Sequence, residues 1–494
     1  MMRQTLQRLL KMVTGYGAIQ WAGPFISFIF TPIITRILSP ADYGIADFVL
    51  TVASALGTLA LFAQPQALTA HFNDKPADGL WQRTLTGSSI ALSICIGIPI
   101  GLAVFLFAAP IANITFPGYT HLYQIISLTV VFGIISGILT AAAQAALRVR
   151  WGMMLSLVAI LGTVGGNVLY IIILRLGATG MVLTGVSTGF AMSVAALLMM
   201  RRHIGRPNPI LMRLLLISGA LLLPNMIAAW ALNVVDRFFL IQYVSTESLG
   251  HYAIANKIAS LLGVFMSPLY LAWTPLALSV HHDPKARERL AILSKYVIAI
   301  ALLAGLALGL FASEILIVLT RAPYLPAAPY VGFLAYVHII GAFGTILYTS
   351  ALAEKRLKAI SLTTIVGAVV NIALNFVLIP PFGVWGATIA TVIGYAVPMV
   401  LLYIVLRKQI EQQRLVLPYL GALAVQLVIL VIGNNVPALY FPIRIVIKLG
   451  LLAFLPVSFV VLRIVKPTEL RQAAALLKSI IVDRFARVKS AGVD

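Results

Sequence analysis

Residues 221–260 read LLLPNMIAAWALNVVDRFFLIQYVSTESLGHYAIANKIAS, and the organisation of the whole chain can be inferred from them. It begins as an apolar segment of membrane-helix length, yet it carries an acid–base pair, Asp236 and Arg237. A short polar link follows, and the next apolar segment carries Asn256 and Lys257. A charge at membrane depth costs about 2.5–3.5 kcal/mol on insertion scales, so such residues usually face a bundle interior or a water-filled cavity. The stretch therefore predicts two membrane helices that line a transport pathway.

The composition of the whole chain predicts an all-α polytopic membrane protein. Of its 494 residues, 61% are hydrophobic and only 10% are charged, and the mean hydropathy is +1.01. Apolar runs of about 20 residues recur along the chain, as membrane-spanning helices require. The predicted spans are 14–35, 43–70, 84–109, 122–147, 152–174, 179–200, 212–241, 247–280, 291–319, 329–352, 359–379, 384–406, 416–433 and 441–464. The eighth window is long enough to include an interfacial start or a break near Pro268.

Basic residues alternate from loop to loop. If the N-terminus is cytoplasmic, the inside segments hold 28 of the 35 Lys and Arg residues, which is the positive-inside pattern. We therefore expect both termini to be cytoplasmic. This topology explains most of the net charge of +21 without a nucleic-acid partner. Residues 467–494 read as an amphipathic helix on the inner leaflet.

Short matches at a nearly constant offset indicate an internal repeat. Tyr43–Asp47 resembles Tyr252–Asn256, Ala146-Leu147 resembles Ala351-Leu352, Asn167 matches Asn371, and Gly177-x-x-Gly180 matches Gly383-x-x-Gly386. Six spans separate the matched positions, so both copies have the same orientation. We expect two parallel six-helix lobes, 1–206 and 207–410, then two added spans in 411–466 and the tail 467–494. In transporters built from such repeats, the substrate path runs between the lobes.

Three segments carry a family resemblance. They are Arg36-Ile-Leu-Ser-Pro-Ala-Asp-Tyr-Gly-Ile-Ala-Asp47, the pair Val235–Leu240 and Leu249–Lys257, and Asn371–Ala387. They resemble signatures of the Wzx-type polysaccharide (O-antigen) flippases. That family belongs to the multidrug/oligosaccharidyl-lipid/polysaccharide exporters, with the MATE transporters and the lipid II flippase. The resemblance extends over spans one to twelve.

The resemblance implies a two-lobed, V-shaped, MATE-like transporter of 12–14 helices. It implies flipping of an undecaprenyl-pyrophosphate-linked oligosaccharide from the inner to the outer leaflet of the bacterial cytoplasmic membrane, for surface polysaccharide and lipopolysaccharide synthesis. The implied energy source is an ion gradient, with H⁺ or Na⁺ as the coupling ion, and no other cofactor is expected. The expected partners are the lipid-linked oligosaccharide, the bilayer and the polymerase or ligase machinery, and the protein itself is expected to be monomeric.

The substrate's pyrophosphate requires cationic groups in a wet cavity. The candidates are Arg237, Lys257 and Arg36, with Arg148 and Arg150 at the cytoplasmic mouth. An Arg suits phosphate because its planar fork donates to two oxygens at once. Competing structural roles stay open. For each candidate the alternative is different. Arg237 would pair with Asp236, and Lys257 would snorkel to the surface. Arg36 would cap the first helix, and Arg148 and Arg150 would act only as topology anchors.

Carboxylates and amides in the spans are the other candidates. Asp47 and Asp236 are the leading candidates for ion coupling, and Glu314 is the third; a solvated or paired carboxylate is the alternative. The expected glycan path contains Asn225, Asn233, Asn256, Gln64 and Gln144. Polar side chains in membrane helices also link one helix to another, so that role competes.

Other functions fit the residues less well. A lipid II or teichuronic-type flippase stays open as an alternative. A MATE-like multidrug cation exporter would favour acidic residues in the cavity, whereas the middle of this chain offers as many bases as acids. An enzyme acting on the same lipid would need a large external loop or a catalytic cluster, and the sequence predicts neither. The single Cys95 and the scattered histidines indicate no metal site.

Overall fold

The computed structural model describes residues 27–75, 78–279, 284–407, 413–436, 441–462 and 464. The predicted amphipathic tail, 467–494, lies outside this part of the chain. Regular structure in the described residues is helical throughout. The α-helices are α1 Ser27–Ile37, α2 Pro40–Leu61, α3 Gln64–His71, α4 Gly79–Leu106, α5 Ala108–Thr115, α6 Thr120–Ala145, α7 Val149–Gly166, α8 Gly177–Met200, α9 Pro209–Val234, α10 Asp236–Tyr243, α11 Thr246–Ser279, α12 Pro284–Leu310, α13 Ala312–Leu319, α14 Ala328–Ala353, α15 Leu357–Phe382, α16 Val384–Leu406, α17 Gln413–Asn434 and α18 Phe441–Val461.

The helices confirm a multi-pass membrane protein. In the described residues, 12 helical segments are long and apolar enough to cross a membrane. Two shorter apolar helices, Ser27–Ile37 and Tyr419–Asn434, lie where the first and thirteenth spans are predicted. About fourteen membrane helices, as expected from hydropathy, therefore fit the structure.

The two halves of the chain repeat one packing scheme. In the first half α4 packs on α6, and α6 packs on α8; in the second half α12 packs on α14, and α14 packs on α16. The third span of each half breaks at a phenylalanine of matching geometry, Phe107 (φ −94°, ψ 13°) and Phe311 (φ −96°, ψ 15°). Gly177 and Gly383 both have positive φ before the last helix of their half. The fold therefore contains the parallel duplication that the sequence indicates.

One sequence match is out of register. Leu147 and Lys355 share a left-handed backbone, with φ of 54° and 56°. In the same turns, Arg148 N–H donates to the Ala143 carbonyl and Arg356 N–H to the Ala351 carbonyl. Leu147 therefore corresponds to Lys355, three positions beyond Leu352. The two halves therefore repeat the backbone conformation of this turn, although the residues at the equivalent positions differ.

The bundle has two distinct ends. We name the end that holds the turns 72–75, 146–148, 201–208 and 354–356 the basic end, because Arg and Lys residues crowd there. The other end, with the turns 38–39, 174–176, 244–245 and 320–327, is the opposite end.

Helix α9 passes from one half to the other. Near the basic end, the Leu215 carbonyl accepts from Gln64 Nε2 of α3 at 3.1 Å. Beyond Pro224, Ala228 and Leu232 bury against Ala368 of α15. The helix is continuous through Pro224 and ends at Val234. Of the two alternatives for the eighth window, the break near Pro268 is wrong, because α11 runs unbroken through that residue.

At the opposite end, α2 and α11 cross backbone to backbone. A Cβ on Gly250 would lie 1.8 Å from the Pro40 carbonyl oxygen, and one on Gly44 would lie 2.6 Å from Gly250 N. Small residues allow helices to approach this closely in a membrane. Further contacts join the halves there, since Tyr324 Oη donates to the Leu38 carbonyl at 3.1 Å. The opposite end is closed between the halves.

A methyl group at the crossing should separate the helices. We expect Gly250→Ala to lower the free energy of unfolding by about 1–3 kcal/mol, as overpacking does. The new methyl group would meet the backbone carbonyl of Pro40, which cannot rotate away as a side chain can. The measurement is the midpoint of thermal unfolding in detergent. Gly57→Ala in the same helix pair is the control, since a Cβ there meets nothing within 4 Å. Equal midpoints for the two variants would contradict the close crossing.

Candidate functional site

Four charged side chains from both halves meet near the crossing. Arg237 Nε lies 2.8 Å from Asp47 Oδ2 of the first half. Arg237 Nη1 lies 3.2 Å from Asp236 Oδ1 and donates to the Asn233 carbonyl at 3.2 Å. Asp236 and Arg237 are only 2% and 5% exposed. Burial at this depth makes the pairing obligatory, because an unpaired buried charge is very costly.

Asp236 is bonded at both carboxylate oxygens. Its Oδ1 also accepts from the Arg237 backbone N–H at 2.8 Å. Its Oδ2 accepts from the Tyr252 hydroxyl, and the Thr391 hydroxyl lies 3.3 Å away. Arg237 also lies 5.7 Å from the centroid of the Tyr252 ring. The carboxylate is therefore held by α10, α11 and α16 together.

A chain of amides continues from Thr391 along α15. Asn371 Nδ2 donates to the Ala390 carbonyl at 3.0 Å. Asn375 Nδ2 donates to Asn371 Oδ1 at 3.1 Å. The Asn375 side chain is fully buried, and its Oδ1 has no partner among the described residues. One buried oxygen, Asn375 Oδ1, is therefore left without a donor in the described structure, at the end of this chain of amides.

Lys257 completes the cluster without a polar partner. Its Nζ lies 5.9 Å from the centroid of the Tyr43 ring. Within the described part of the chain it has no hydrogen bond or ion pair, although the residue is only partly exposed. The four formal charges sum to zero. Both carboxylates are in contact with Arg237, and Asp47 acts on Lys257 electrostatically without touching it, so the ammonium has no anion in direct contact among the described residues. We name Asp47, Asp236, Arg237 and Lys257 the inter-half charge cluster.

A cavity of about 350 Å³, with mostly apolar walls and no charged lining residue, begins one helical turn from Arg237. It lies between α9, α14, α15 and α16. Its polar lining consists of hydroxyls and one amide: Asn233, Thr345, Tyr348, Thr363, Thr364 and Tyr395. Asn233 connects the cavity to the charge cluster, because its carbonyl accepts from Arg237.

Two candidate amides lie inside the bundle away from this cavity. Gln64 is fully buried, and its oxygen accepts from Ser89 Oγ at 3.4 Å while its nitrogen bonds α9. In this state Gln64 links helices and is closed to a substrate. Asn225 lies beside Pro224 in the middle of α9, and its Oδ1 is buried without a partner among the described residues.

The structure does not bring the remaining candidates into the cluster. Arg36 is exposed on the last turn of α1, and Asn256 is half-buried on α11 beside Lys257. Arg148, Arg150 and Gln144 are exposed at the basic end.

Glu314 belongs to a separate set of charges. Its carboxylate accepts from Lys448 Nζ at 2.9 and 2.8 Å and lies 2.9 Å from Arg444 Nε. Both bases are on α18, so the ion pairs bind the added helices to α13. By sequence, Glu314 is the third candidate for ion coupling. The sequence alone could not show that the bases of α18 pair with this carboxylate.

Sequence reasoning also missed Tyr252, Thr391 and Tyr395 as site residues. Tyr252 stands inside a segment that carries the family resemblance, but its hydroxyl signalled nothing by itself. Thr391 lies in an ordinary apolar span. Hydroxyls are common in membrane helices, where most bond their own backbone, so only the packing of α16 on α10 reveals the role of Thr391.

Three family models match the sequence. The model described as polysaccharide biosynthesis protein matches residues 9–281, which is more than half of the chain. The lipid II flippase MurJ model matches residues 339–448, and the MatE model matches residues 220–377. No protein of curated function matches the sequence.

Solved structures share the fold at low sequence identity. A lipid II flippase MurJ in an inward closed conformation is 16% identical, with a TM-score of 0.66, over 92% of this chain and 98% of that one. An inward-facing multidrug resistance MATE family transporter is 15% identical, with a TM-score of 0.64, over 81% of this chain and 99% of that one. A transporter from Pyrococcus furiosus, described as having a binding pocket of reverse polarity, is 15% identical, with a TM-score of 0.56, over 82% and 96%.

The family matches and the shared fold agree with a bundle of membrane helices. The chain therefore belongs to the polysaccharide biosynthesis protein family, within the multidrug/oligosaccharidyl-lipid/polysaccharide superfamily of membrane transporters and flippases.

Proposed function

We propose that this protein flips an undecaprenyl-pyrophosphate-linked oligosaccharide across the bacterial cytoplasmic membrane by alternating access. The observation that carries the proposal is the inter-half charge cluster, where the Lys257 ammonium has no polar partner in the described chain. A pyrophosphate is an anion with several acceptor oxygens. Buried cations between two mobile halves match its chemistry.

The cluster gives the pyrophosphate two different donors. Arg237 presents a planar fork that is already held in place by Asp236. Lys257 supplies a compact ammonium on the neighbouring helix. The oxygens of Asp47, which Arg237 now binds from the other half, have the same acceptor chemistry as a phosphate. A substrate anion can therefore replace Asp47 on Arg237 and weaken the bond between the halves.

The cavity of about 350 Å³ beside Asn233 suits a glycan. Its walls are mostly apolar, including the rings of Tyr348 and Tyr395, and a few hydroxyls and one amide interrupt them without any charged residue. Sugars are recognised by such a mixture of apolar faces and a few placed polar groups. Asn233 is the candidate glycan residue that best fits this cavity.

The charge pattern supports one direction of transport. The basic end corresponds to the cytoplasmic side under the positive-inside rule, so the closed end faces outward. A closed outer end leaves the substrate path accessible from the inner leaflet. Arg148 and Arg150 then lie on the side from which the substrate arrives.

Ion coupling is proposed to act through Asp236, with Asp47 as the second candidate. Asp236 contacts three helices of the second half and, through Arg237, the first half. A coupling ion that neutralises Asp236 would release Arg237 and change the contact between the halves. Whether H⁺ or Na⁺ does so is decided by the third experiment below.

A MATE-like cation exporter is the second candidate, and the two carboxylates are the feature that favours it. Arg237 occupies both of them, however, which leaves no free acidic group for a cationic drug in this cluster. A lipid II or teichuronic-type flippase would use the same anion chemistry. The glycan specificity of the neighbouring cavity separates these two flippases.

The first prediction concerns the stability of the cluster. Arg237→Gln leaves two carboxylates, one deeply buried, and should cost about 3–5 kcal/mol. Asp47→Asn should cost about 1 kcal/mol or less, because Asp47 is partly solvated and Arg237 keeps Asp236. The midpoint of thermal unfolding in detergent measures both.

The double variant Asp236→Asn/Arg237→Gln is the matched control. It removes both charges of the buried pair and should recover most of the loss seen for Arg237→Gln alone. A double variant as unstable as the single one would show that the guanidinium acts through packing and not through charge.

The second prediction concerns the anion. A short-chain polyprenyl pyrophosphate should raise the unfolding midpoint, because a ligand that binds only the folded state stabilises it. Lys257→Met should weaken this binding about tenfold or more, as loss of a charge-assisted contact does. It should leave the unliganded midpoint nearly unchanged, since Lys257 has no polar partner to orphan. Lys358→Met, at an exposed lysine of the basic end, is the control.

Stabilisation by organic cations alone would overturn the flippase proposal and favour the cation exporter. Equal binding in Lys257→Met and Lys358→Met would remove Lys257 from the anion site.

The third prediction concerns ion coupling. In proteoliposomes, an imposed pH or Na⁺ gradient should accelerate flipping of a fluorescent polyprenyl-pyrophosphate sugar, measured by loss of dithionite quenching. Asp236→Asn should abolish the acceleration, because its carboxylate can no longer change charge. Which gradient accelerates flipping identifies the ion. If Asp236→Asn keeps the acceleration and Asp47→Asn loses it, the coupling residue is Asp47; if both keep it, the cluster does not couple.

A further inference from the structure

A second cavity, of about 140 Å³, lies at the basic end of the first half, away from the inter-half charge cluster. The start of α4, the end of α6, the start of α7 and the end of α8 enclose it. Its polar lining is Gln82, Arg83, Thr86, Arg148 and His203. The lining contains no Asp or Glu. We name it the basic-end cavity.

The two guanidiniums of this cavity lack counter-ions. Neither Arg83 nor Arg148 has an ion pair or a side-chain hydrogen bond within the described chain. Both residues are exposed to solvent, and their side chains line the same small cavity. An anion is the group that this arrangement lacks.

An aromatic stack fixes the position of Arg148. Its guanidinium carbon lies 4.2 Å from the centroid of the Trp151 ring. Trp151 in turn contacts the ring of His203 edge to face, with centroids 5.1 Å apart. Stacking occupies the face of a guanidinium and leaves its edge, with the N–H donors, for a ligand. The donors of Arg148 are therefore pre-organised.

His203 supplies an unused polar atom. Its Nδ1 is buried and has no hydrogen-bond partner among the described residues. A buried polar atom without a partner is costly unless a ligand or water satisfies it. The imidazole can donate from Nδ1 to an anionic oxygen in one tautomer or when protonated.

The nearby carboxylates are already engaged. Asp78 Oδ1 accepts from the backbone N–H groups of Leu80 and Trp81 at the start of α4. Asp74 Oδ2 bonds His71 Nδ1 at 2.8 Å. These bonds direct the two acids to local caps and pairs, so they do not neutralise Arg83 or Arg148.

The linker between the halves closes the cavity. Gly205 N–H donates to the Arg83 carbonyl at 2.8 Å. A Cβ on Gly87 would lie 2.0 Å from the Gly205 carbonyl oxygen, so the linker runs directly against α4. An occupant held by Arg83 and His203 therefore touches both a helix of the first half and the segment that leads to α9.

We infer that the basic-end cavity binds a phosphate group through Arg83, Arg148 and His203. A phosphate matches a set of converging N–H donors and two uncompensated positive charges. Its source is either the headgroup of a membrane phospholipid or a free phosphate ion. This site is separate from the anion site proposed at Arg237 and Lys257, and it does not depend on the transported substrate.

The test is a titration of the full chain in nanodiscs of zwitterionic lipid at constant ionic strength. The probes are dihexanoyl phosphatidic acid, sodium phosphate and, for comparison, dihexanoyl phosphatidylcholine, whose phosphodiester is balanced by choline so that the headgroup has no net charge. The unfolding midpoint gives an apparent Kd for each probe. We expect stabilisation by phosphatidic acid and none by phosphatidylcholine. Stabilisation by sodium phosphate as well would identify a free-ion site, and its absence would identify a headgroup site.

Two double variants separate a built site from general surface charge. Arg83→Gln/Arg148→Gln should raise the apparent Kd about a hundredfold, with about tenfold from each lost charge-assisted contact. Arg201→Gln/Arg202→Gln removes the same charge from exposed residues of the same end and should change it less than about threefold. Equal losses in the two would overturn the inference, as would no response of the unchanged protein to either phosphate probe.

His203→Ala is the variant that removes no permanent charge. We expect it to weaken binding about tenfold and to leave the unliganded midpoint unchanged or raised, because the orphaned Nδ1 is gone. If Arg83→Gln/Arg148→Gln does not give monodisperse protein, His203→Ala decides alone. An affinity unaltered by His203→Ala would then overturn the inference.

Discussion

One guanidinium shared between two carboxylates holds the contact between the halves together at the opposite end. Asp47 comes from the first half and Asp236 from the second, and Arg237 lies between them. Asp236 cannot be left alone at this depth without a large cost, whereas Asp47 is partly solvated. The halves are therefore joined by a modest bond that a competing anion or a bound cation can exchange. Such a bond suits a protein that must open and close.

The remaining contacts at this end are of a different kind. The crossing of α2 and α11 at Gly44 and Gly250 depends on shape alone. It gives two close surfaces but no preference for a particular charge state. The ion cluster adds that preference, and the uncharged cavity beside Asn233 is the place that we propose for the glycan. Packing therefore determines where the halves meet, and the charge state of the cluster determines how stable that contact is.

Much of the fold follows from sequence because hydropathy is local. Each span is long and apolar enough to be recognised alone, and Arg237 is recognised as a site candidate because a charged residue is unusual within such a span. The pairing of Arg237 with Asp47 is not local, since 190 residues separate them. The same limit explains Glu314, whose bases lie on α18, and Gln64, which looked like a path residue but is buried between helices. Sequence identified the unusual residues, and packing alone decided their partners.

The membrane span formed by α9 and α10 has a consequence for how the chain is assembled during synthesis. The first part of α9 packs on helices that have already been made, whereas Asp236, on α10, meets the Thr391 hydroxyl only after 155 further residues have been added. At ~5–20 residues per second, that interval is on the order of ten seconds. Throughout it, the nascent helix must hold an acid in the translocon or the lipid. Asp236 and Arg237 are adjacent, so the pair enters the membrane already neutralised, and Asp47 is present to receive it. The order of synthesis therefore keeps Asp236 and Arg237 paired in the membrane until Thr391 has been made.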